Sequence, residues 1–300
     1  MAIVISDLHI KRVQPYYDSV ISFLNWLYEK YPDEEIVQLG DIFDSSSVHH
    51  SVMHTIVGVL KKFKRVHILE GNHDVSRRSG LITEPLKHHD NIFVYDSYKE
   101  VEIEGHKCLM LPWVHNAKEL YEKIEWSGDY MFAHITNIED QFGNEGVDTS
   151  KIKACQIFGH IHNSRYINDN KIVLGIQIPT RHGELSNNFI HISKDNKKEF
   201  VTPPVYFEYQ TLNYGEFPEN KNNILNVINA PSVPAVWEKY KDYFIRRDGI
   251  QVLRTENESE LKDVVFESGN IIDKFNRYAT EKSIPLEIVS CANQYLQEVV

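Results

Sequence analysis

Cysteine is scarce in this 300-residue chain: Cys108, Cys155 and Cys291 are scattered, odd in number and form no Cys-x-x-Cys. That excludes a disulfide scaffold and a thiolate metal site, and it fits a reducing compartment such as the cytoplasm. Long apolar runs are missing too. None approaches the roughly 20 residues that span a bilayer, so no membrane helix is expected. Met1-Ala2-Ile3-Val4-Ile5-Ser6 carries no basic segment and no extended apolar stretch, so no secretory leader is expected. Positive charge is in deficit: Lys plus Arg number 32 against 43 Asp plus Glu, a formal net charge of −11. A protein that held nucleic acid by bulk electrostatics would be basic, so contact with a polyanion must run through a local patch or bound cations. No repeat or low-complexity tract is present. What remains, 42% hydrophobic and 25% charged residues, describes an ordinary globular chain with a sizeable core. Fifteen histidines justify a search for metal ligands.

The first part of the chain alternates strand-like and helix-like patterns. Apolar runs at 3–5, 36–39 and 66–69 read as strands. Between them, Tyr17, Val20, Ile21, Leu24, Leu27, Tyr28 and Tyr31 recur at helical spacing and stop before Pro32. Val52, Ile56, Val59, Leu60 and Phe63 do the same. This order predicts an α/β core with a substantially parallel sheet. From residue 91, strands are expected at 92–95, 101–103 and 107–111, with a turn at Glu104-Gly105. Others follow at 130–133, 155–158, 165–167, 172–174 and 189–192, and this half reads as rich in hairpins. The polar run 194–198 and Pro203-Pro204 place a boundary at about residue 202. Beyond it, strands are expected at 206–212 and 250–253, and helices at 233–243, 271–278 and 286–296.

Five strand-like runs lead into metal-capable residues. They precede Asp7-x-His9, Gly40-Asp41, Gly71-Asn72-His73-Asp74, His134 and Gly159-His160-x-His162. In open α/β sheets, sites form beyond the carboxyl ends of strands, so these distant tips are expected to converge. Carboxylate, imidazole and amide ligands without sulfur suit Mn²⁺, Fe or Zn²⁺. There are enough of them for two ions, the arrangement that clamps a phosphoryl group for in-line displacement.

That ordered set resembles the calcineurin-like metallophosphoesterase superfamily over roughly residues 1–195. The resemblance implies a four-layer α/β/β/α sandwich around a two-metal centre. It assigns Asp7, His9, Asp41 and His162 to one ion and Asp41, Asn72, His134 and His160 to the other, with Asp41 bridging. His73 becomes the non-ligand histidine that faces the phosphate, with Asp74 orienting it. A histidine so held suits proton donation to a leaving oxygen.

Gly40-Asp41-Ile42-Phe43-Asp44 lacks the Arg-Gly that follows in protein phosphatases, and Asp74 stands where they carry Glu. Both stretches look more like the SbcD-type DNA repair nucleases. Gly175 to Glu184 matches the ends of a Gly-Ser-Pro…Gly-Glu stretch of that family, with Ile176 and Gln177 in place of Ser and Pro. This resemblance implies a Mn²⁺-dependent exonuclease or endonuclease subunit acting on DNA beside an SbcC-like coiled-coil ATPase; a homodimer is also compatible with it. The domains would be a nuclease domain over 1–202, a small α+β DNA-capping domain over 203–266, and a helical segment over 267–300 that docks the ATPase. Arg77 and Arg78, just past the Asn72 loop, are candidate phosphate contacts. Lys61, Lys62, Lys64 and Arg65 read as a solvated helix end, and His49, His50, His54, His88 and His89 as surface residues. His182 is a candidate neighbour of the centre. Alternatives are a small-molecule or cyclic-nucleotide phosphodiesterase and, against the complete ligand set, a non-catalytic scaffold.

Overall fold

The computed structural model describes residues 1–12, 16–45, 47–76, 80–140, 146–181, 183–206, 208–217, 224–230, 239 and 251–254. In chain order, β1 (Ala2–Ile5), α1 (Tyr16–Lys30), β2 (Glu35–Gln38), α2 (His50–Leu60) and β3 (Arg65–Leu69) alternate as the periodicity predicts. A short hairpin of β4 (Val75–Ser76) and β5 (Gly80–Leu81) follows. After it come β6 (Ile92–Tyr95), β7 (Lys99–Ile103), β8 (His106–Leu111), α3 (Ala117–Tyr121), β9 (Trp126–Ala133) and β10 (Ile152–Phe158). β11 (Arg165–Asn168), β12 (Lys171–Val173), β13 (Phe189–Ile192) and β14 (Lys198–Val201) complete two six-stranded sheets, ordered β14-β13-β1-β2-β3-β6 and β11-β12-β10-β9-β8-β7. β15 (Glu208–Asn213), β16 (Ile224–Ala230) and β17 (Gln251–Arg254) form a separate three-stranded sheet in which β15 and β16 run parallel.

Alternation along the strands builds the layers. Ile3 and Ile5 of β1, Ile36 of β2, and Val66 and Ile68 of β3 turn to one face. There they meet Val20, Phe23, Leu24 and Leu27 of α1 and Val52, Ile56 and Leu60 of α2. Their neighbours Ala2, Val4, Val37 and Leu69 turn to the other face and pack against Cys108, Met110, Tyr130, Phe132, Ile157 and Ile172 of the second sheet. Leu109, Leu111, Met131, Ala133 and Phe158 face outward from that sheet onto Tyr121 of α3, Val147 and Ile152. Strands covered on both faces read as near-continuous apolar runs, as 3–5 does; 66–69 is interrupted by His67, buried against Tyr95 and Glu35. The result is the layered α/β sandwich the sequence predicts, with only the short α3 as helix over the second sheet among the described residues.

One expectation changes. The second half is less hairpin-rich than its pattern suggests. Glu104-Gly105 does close a two-residue hairpin, both residues having positive φ. Yet β8, β9, β10 and β12 are mutually parallel, because the connections 112–125 and 134–151 are long enough to cross over. The polar run near 194–198 is the turn between β13 and β14, and β14 extends the first sheet to Val201. The chain divides into two compact units, Met1–Leu253 and Arg254–Val300. All of the second except Arg254 lies outside the described residues, as do Arg77, Arg78, His182, the helices expected at 271–278 and 286–296 and, save Lys239, that at 233–243. No helix among the described residues is long and apolar enough to cross a membrane.

Candidate metal centre

The tips of β1, β2, β3, β9 and β10 converge at one end of the sandwich. Hydrogen bonds across neighbouring tips fix them: His9 N donates to Asp41 O at 2.9 Å, His134 N to Leu111 O at 2.9 Å, and Gly159 N to Ala133 O at 2.8 Å. Two buried glutamine side chains add braces. Gln38 bonds both the N–H and the C=O of Gly40, and Gln177 accepts the Ser6 N–H at 2.9 Å. Gln177 thus has a local task at the position where the resemblance leads one to expect proline.

Backbone strain concentrates here. Six non-glycine residues among those described have positive φ, and four are candidate ligands: Asp7 (48°), His9 (40°), Asp41 (52°) and His160 (75°). In the left-handed region the chain leaves strand geometry and turns successive side chains into one cleft, at a cost that such sites characteristically carry. Small neighbours make room. A Cβ on Gly40 would lie 2.2 Å from His134 Nδ1, and one on Gly71 would lie 2.1 Å from Asp41 N and Oδ1.

Three groups of side chains place one potential ligand atom each within 4.8 Å of one another: Asp7, His9 and His162; Asp41, His134 and His160; and His9, Asp41 and His73. The first two follow the partition the resemblance implies. Asn72 joins the second, its Oδ1 lying 3.1 Å from His134 Nε2. Asp41 stands between them, with Oδ2 at 3.3 Å from His134 Nε2 and 3.7 Å from His9 Nε2. All seven predicted ligands therefore lie in one cluster.

The donors fit a divalent cation. His9 Nε2 and His162 Nε2 face each other at 3.1 Å, and His9 Nδ1 is buried without a hydrogen-bond partner. Burial lowers His9 to about 3 and His160 to about 4, the latter with help from the charge on His134, so both rings are neutral and carry free lone pairs. Burial raises Asp7 above the ordinary carboxylate range. Burial opposes the charge on Asp41 and His134 as well, but each stabilises the other: Asp41 is driven down and His134 up to about 9. An acidic, imidazole-rich cavity of this kind gains from added positive charge.

His73 lies beside His9, their ring centroids 4.8 Å apart. Its backbone N–H donates to Asp41 Oδ1 at 2.8 Å, and its Nδ1 faces the Asp44 carbonyl oxygen at 2.8 Å. The orienting role expected of Asp74 is therefore corrected. Asp74 is fully buried and its carboxylate accepts the backbone N–H groups of Ile42, Phe43 and Gly71, so it ties the Asp41 loop to the Asn72 loop, while the His73 ring bonds elsewhere. The Asp44 carbonyl orients the ring instead. A carbonyl can only accept, so Nδ1 carries the hydrogen and Nε2 is the free nitrogen.

Glu184 is the residue that sequence reasoning passed over. Its Oε1 lies 2.5 Å from His162 Nδ1, and its Oε2 accepts from Thr180 N at 2.7 Å, Arg181 N at 2.8 Å and Thr180 Oγ1 at 2.9 Å. Burial would raise its pKa, but the His162 and Thr180 hydrogen bonds overcome this and hold it at about 2. The Gly183-Glu184 dipeptide was the only signal in the sequence. His49, His50, His54 and His88 are exposed, and His89 is partly buried.

No curated protein matches this chain in sequence. Among solved structures, a protein of unknown function from Aquifex aeolicus has 20% identity and a TM-score of 0.30 over 52% of this chain and 88% of its own. Phosphopantetheinyl hydrolase from Mycobacterium tuberculosis has 11% identity and a TM-score of 0.37 over 58% and 88%. A 5'-nucleotidase precursor from Thermus thermophilus has 11% identity and a TM-score of 0.35 over 67% and 54%. Likenesses this low say nothing of substrate. Residues 2–252 match the calcineurin-like phosphoesterase family, and the chain belongs to that family of metal-dependent phosphoester hydrolases.

Proposed function

We propose that the chain is a two-metal phosphodiesterase acting on DNA, the Mn²⁺-dependent nuclease subunit of an SbcCD-like repair or recombination complex. The observation that carries this reading is the pair of ligand groups joined at Asp41: Asp7, His9 and His162 on one side, and Asn72, His134 and His160 on the other. The Gly40-Asp41-x-Phe43-Asp44 and Gly71-Asn72-His73-Asp74 stretches favour a nuclease over a protein phosphatase. Bound ions would supply the positive charge that screens a phosphodiester and the acidity that makes water a nucleophile near neutral pH. The chain's own residues do the rest. Asp41 stands between the groups, its Oδ2 near both His134 and His9 and its Oδ1 held by the His73 N–H. His73, its Nδ1–H held by the Asp44 carbonyl, turns Nε2 to the leaving oxygen; in the imidazolium form Nε2–H gives up its proton there, leaving the neutral Nδ1–H ring to be reprotonated from solvent. Residues 203–266 would cap the DNA and residues 267–300 dock the ATPase.

Purified protein with Mn²⁺ is assayed on end-labelled linear DNA beside ethyl p-nitrophenyl phosphate. Cleavage of both supports the reading. Hydrolysis of the small ester alone points to a small-molecule phosphodiesterase, and inactivity on both refutes the proposal. Deleting residues 268–300 should leave ester hydrolysis intact and abolish co-purification with the ATPase; an aggregated product would place those residues in the core.

A further inference from the structure

Beyond β8 the chain reads Pro112-Trp113-Val114-His115. Val114 packs into the core beneath the second sheet, but Trp113 belongs to none of the three apolar cores. It is partly exposed, and the exposed His115 ring stands against it with centroids 4.6 Å apart at 63°. A large aromatic side chain left partly exposed forgoes part of its apolar burial, so its place needs a reason.

Its neighbours supply one. β8 lies beside β9 with Leu111 opposite Ala133, so Trp113 stands on the strand tip next to the one that bears His134. Its backbone N–H donates to the Glu70 carbonyl at 2.8 Å, two residues before Asn72. Two ligands of the second ion group, His134 and Asn72, are thus adjoined by the segment that carries the tryptophan. The segment is held firmly. The Pro112 carbonyl accepts from Tyr121 Oη at 2.7 Å, and the Val114 carbonyl from Ala117 N at 3.1 Å. A rigid aromatic surface loses little freedom on binding.

We propose that Trp113, flanked by His115, is a stacking platform for an unpaired nucleobase beside the scissile phosphate. This rests on the phosphodiesterase reading above and names what lies next to the phosphate. The chain's charge of −11 gives the platform its purpose. Electrostatic attraction to nucleic acid is weak for such a protein and fades with salt, whereas stacking on an aromatic face is insensitive to charge and tolerant of sequence.

The test compares a fluorescein-labelled octathymidylate with an abasic octamer of equal length and charge, by anisotropy in EDTA, for the wild type, Trp113→Leu and Trp113→Phe. The wild type should bind the base-bearing strand about ten-fold more tightly. Trp113→Phe should keep most of that preference and Trp113→Leu should erase it. The ratio should be the same at low and at physiological salt. Equal affinity of the wild type for the two strands, including no binding of either, overturns the proposal, as does a preference that survives Trp113→Leu. Mn²⁺-dependent hydrolysis of ethyl p-nitrophenyl phosphate, run in parallel, reports on the phosphodiesterase reading alone. Its failure in the wild type sinks that reading, while the binding ratios still decide the platform.

Discussion

Glu184→Ala tests how the first ligand group is held. His162 offers Nε2 to the cluster only while the hydrogen sits on Nδ1, and the carboxylate 2.5 Å from Nδ1 enforces that tautomer. The clamp is itself anchored by three donors, Thr180 N, Thr180 Oγ1 and Arg181 N, all within 2.9 Å of Oε2. Hydrogen bonds to a charged group are worth about 1.5–3 kcal/mol each. Removing the carboxylate frees the ring to rotate and to move its hydrogen to Nε2. Partners of ligating histidines typically contribute about 10- to 100-fold to metal affinity. The expectation is that one Mn²⁺ weakens by about that factor, at the Asp7, His9 and His162 group, while the second keeps its affinity. Titration calorimetry with Mn²⁺ resolves the two steps. Glu184→Gln should fall between, since an amide oxygen still accepts from His162 but an NH₂ then opposes the Thr180 and Arg181 N–H groups. Two wild-type affinities in Glu184→Ala would refute the clamp, and equal weakening of both ions would show that Glu184 supports the loop and not one ligand. The same group carries a pH signature. Its folded pKa of about 2 lies below the ordinary 4.5, so its contribution to stability is full above the ordinary value and is lost as pH falls towards 2.

Asp41→Ala should abolish both activity and stoichiometric Mn²⁺ binding, because both groups lose a ligand; full occupancy by elemental analysis contradicts the bridge. His73→Ala should lower the rate by about two to four orders of magnitude with metal content near wild type, the usual range for acid–base catalysis; normal turnover removes it from the chemistry. Gly71→Ala puts a methyl group 2.1 Å from Asp41 N and Oδ1, so it should lower the thermal midpoint and cost metal binding together; an unchanged midpoint shows that the loop yields freely. His134, at about 9 before metal arrives, must shed a proton to bind. Mn²⁺ binding near pH 7.5 should therefore release about one proton from this group, seen as a buffer-dependent enthalpy, and no such dependence refutes the assignment.

The ligand set and the first sheet were legible in the sequence for one reason. Each candidate ligand lies within four residues of the end of a short, mainly apolar run, the pattern of a strand covered on both faces, although β2 and β3 also bury Glu35, Gln38 and His67. That rule brings Asp7, Asp41, Asn72, His134 and His160 to strand tips; it was the family resemblance that separated them as ligands from Asp44, Glu70 and Asp74 beside them. The parallel pairing in the second sheet was not legible, since the length of a connection shows that a crossover is allowed without requiring it. Asp74 was misread because proximity in sequence to His73 says nothing of where a buried carboxylate finds donors; it found three backbone N–H groups across two loops. Glu184 was missed because its partner lies 22 residues away along the chain. Gln38 and Gln177 escaped for the same cause: a buried amide that satisfies backbone groups has no periodic signature.

The cluster and the scaffold behind it are under opposite demands. Four ligands sit at positive φ, each at a cost on the order of 1–2 kcal/mol for an L-residue. Asp7 is buried against its preference for water. These are local costs, and in a flexible loop they would relax. They persist because the strands just behind, with Ile3, Val4, Val37, Leu39 and Ile157 fully buried, cannot shift without breaking the sheets. The tips are further pinned across one another by the backbone bonds from His9, His134 and Gly159. The sandwich therefore holds acidic and imidazole groups closer together than they would stand by themselves, and the relief available is positive charge placed among them. The cluster's fit to divalent ions is in this sense a property of the sheets as much as of the seven candidate ligands. Ligand binding stabilises whichever state it favours, so ions bound here would reinforce the rigidity of β1, β2, β9 and β10 that holds their site.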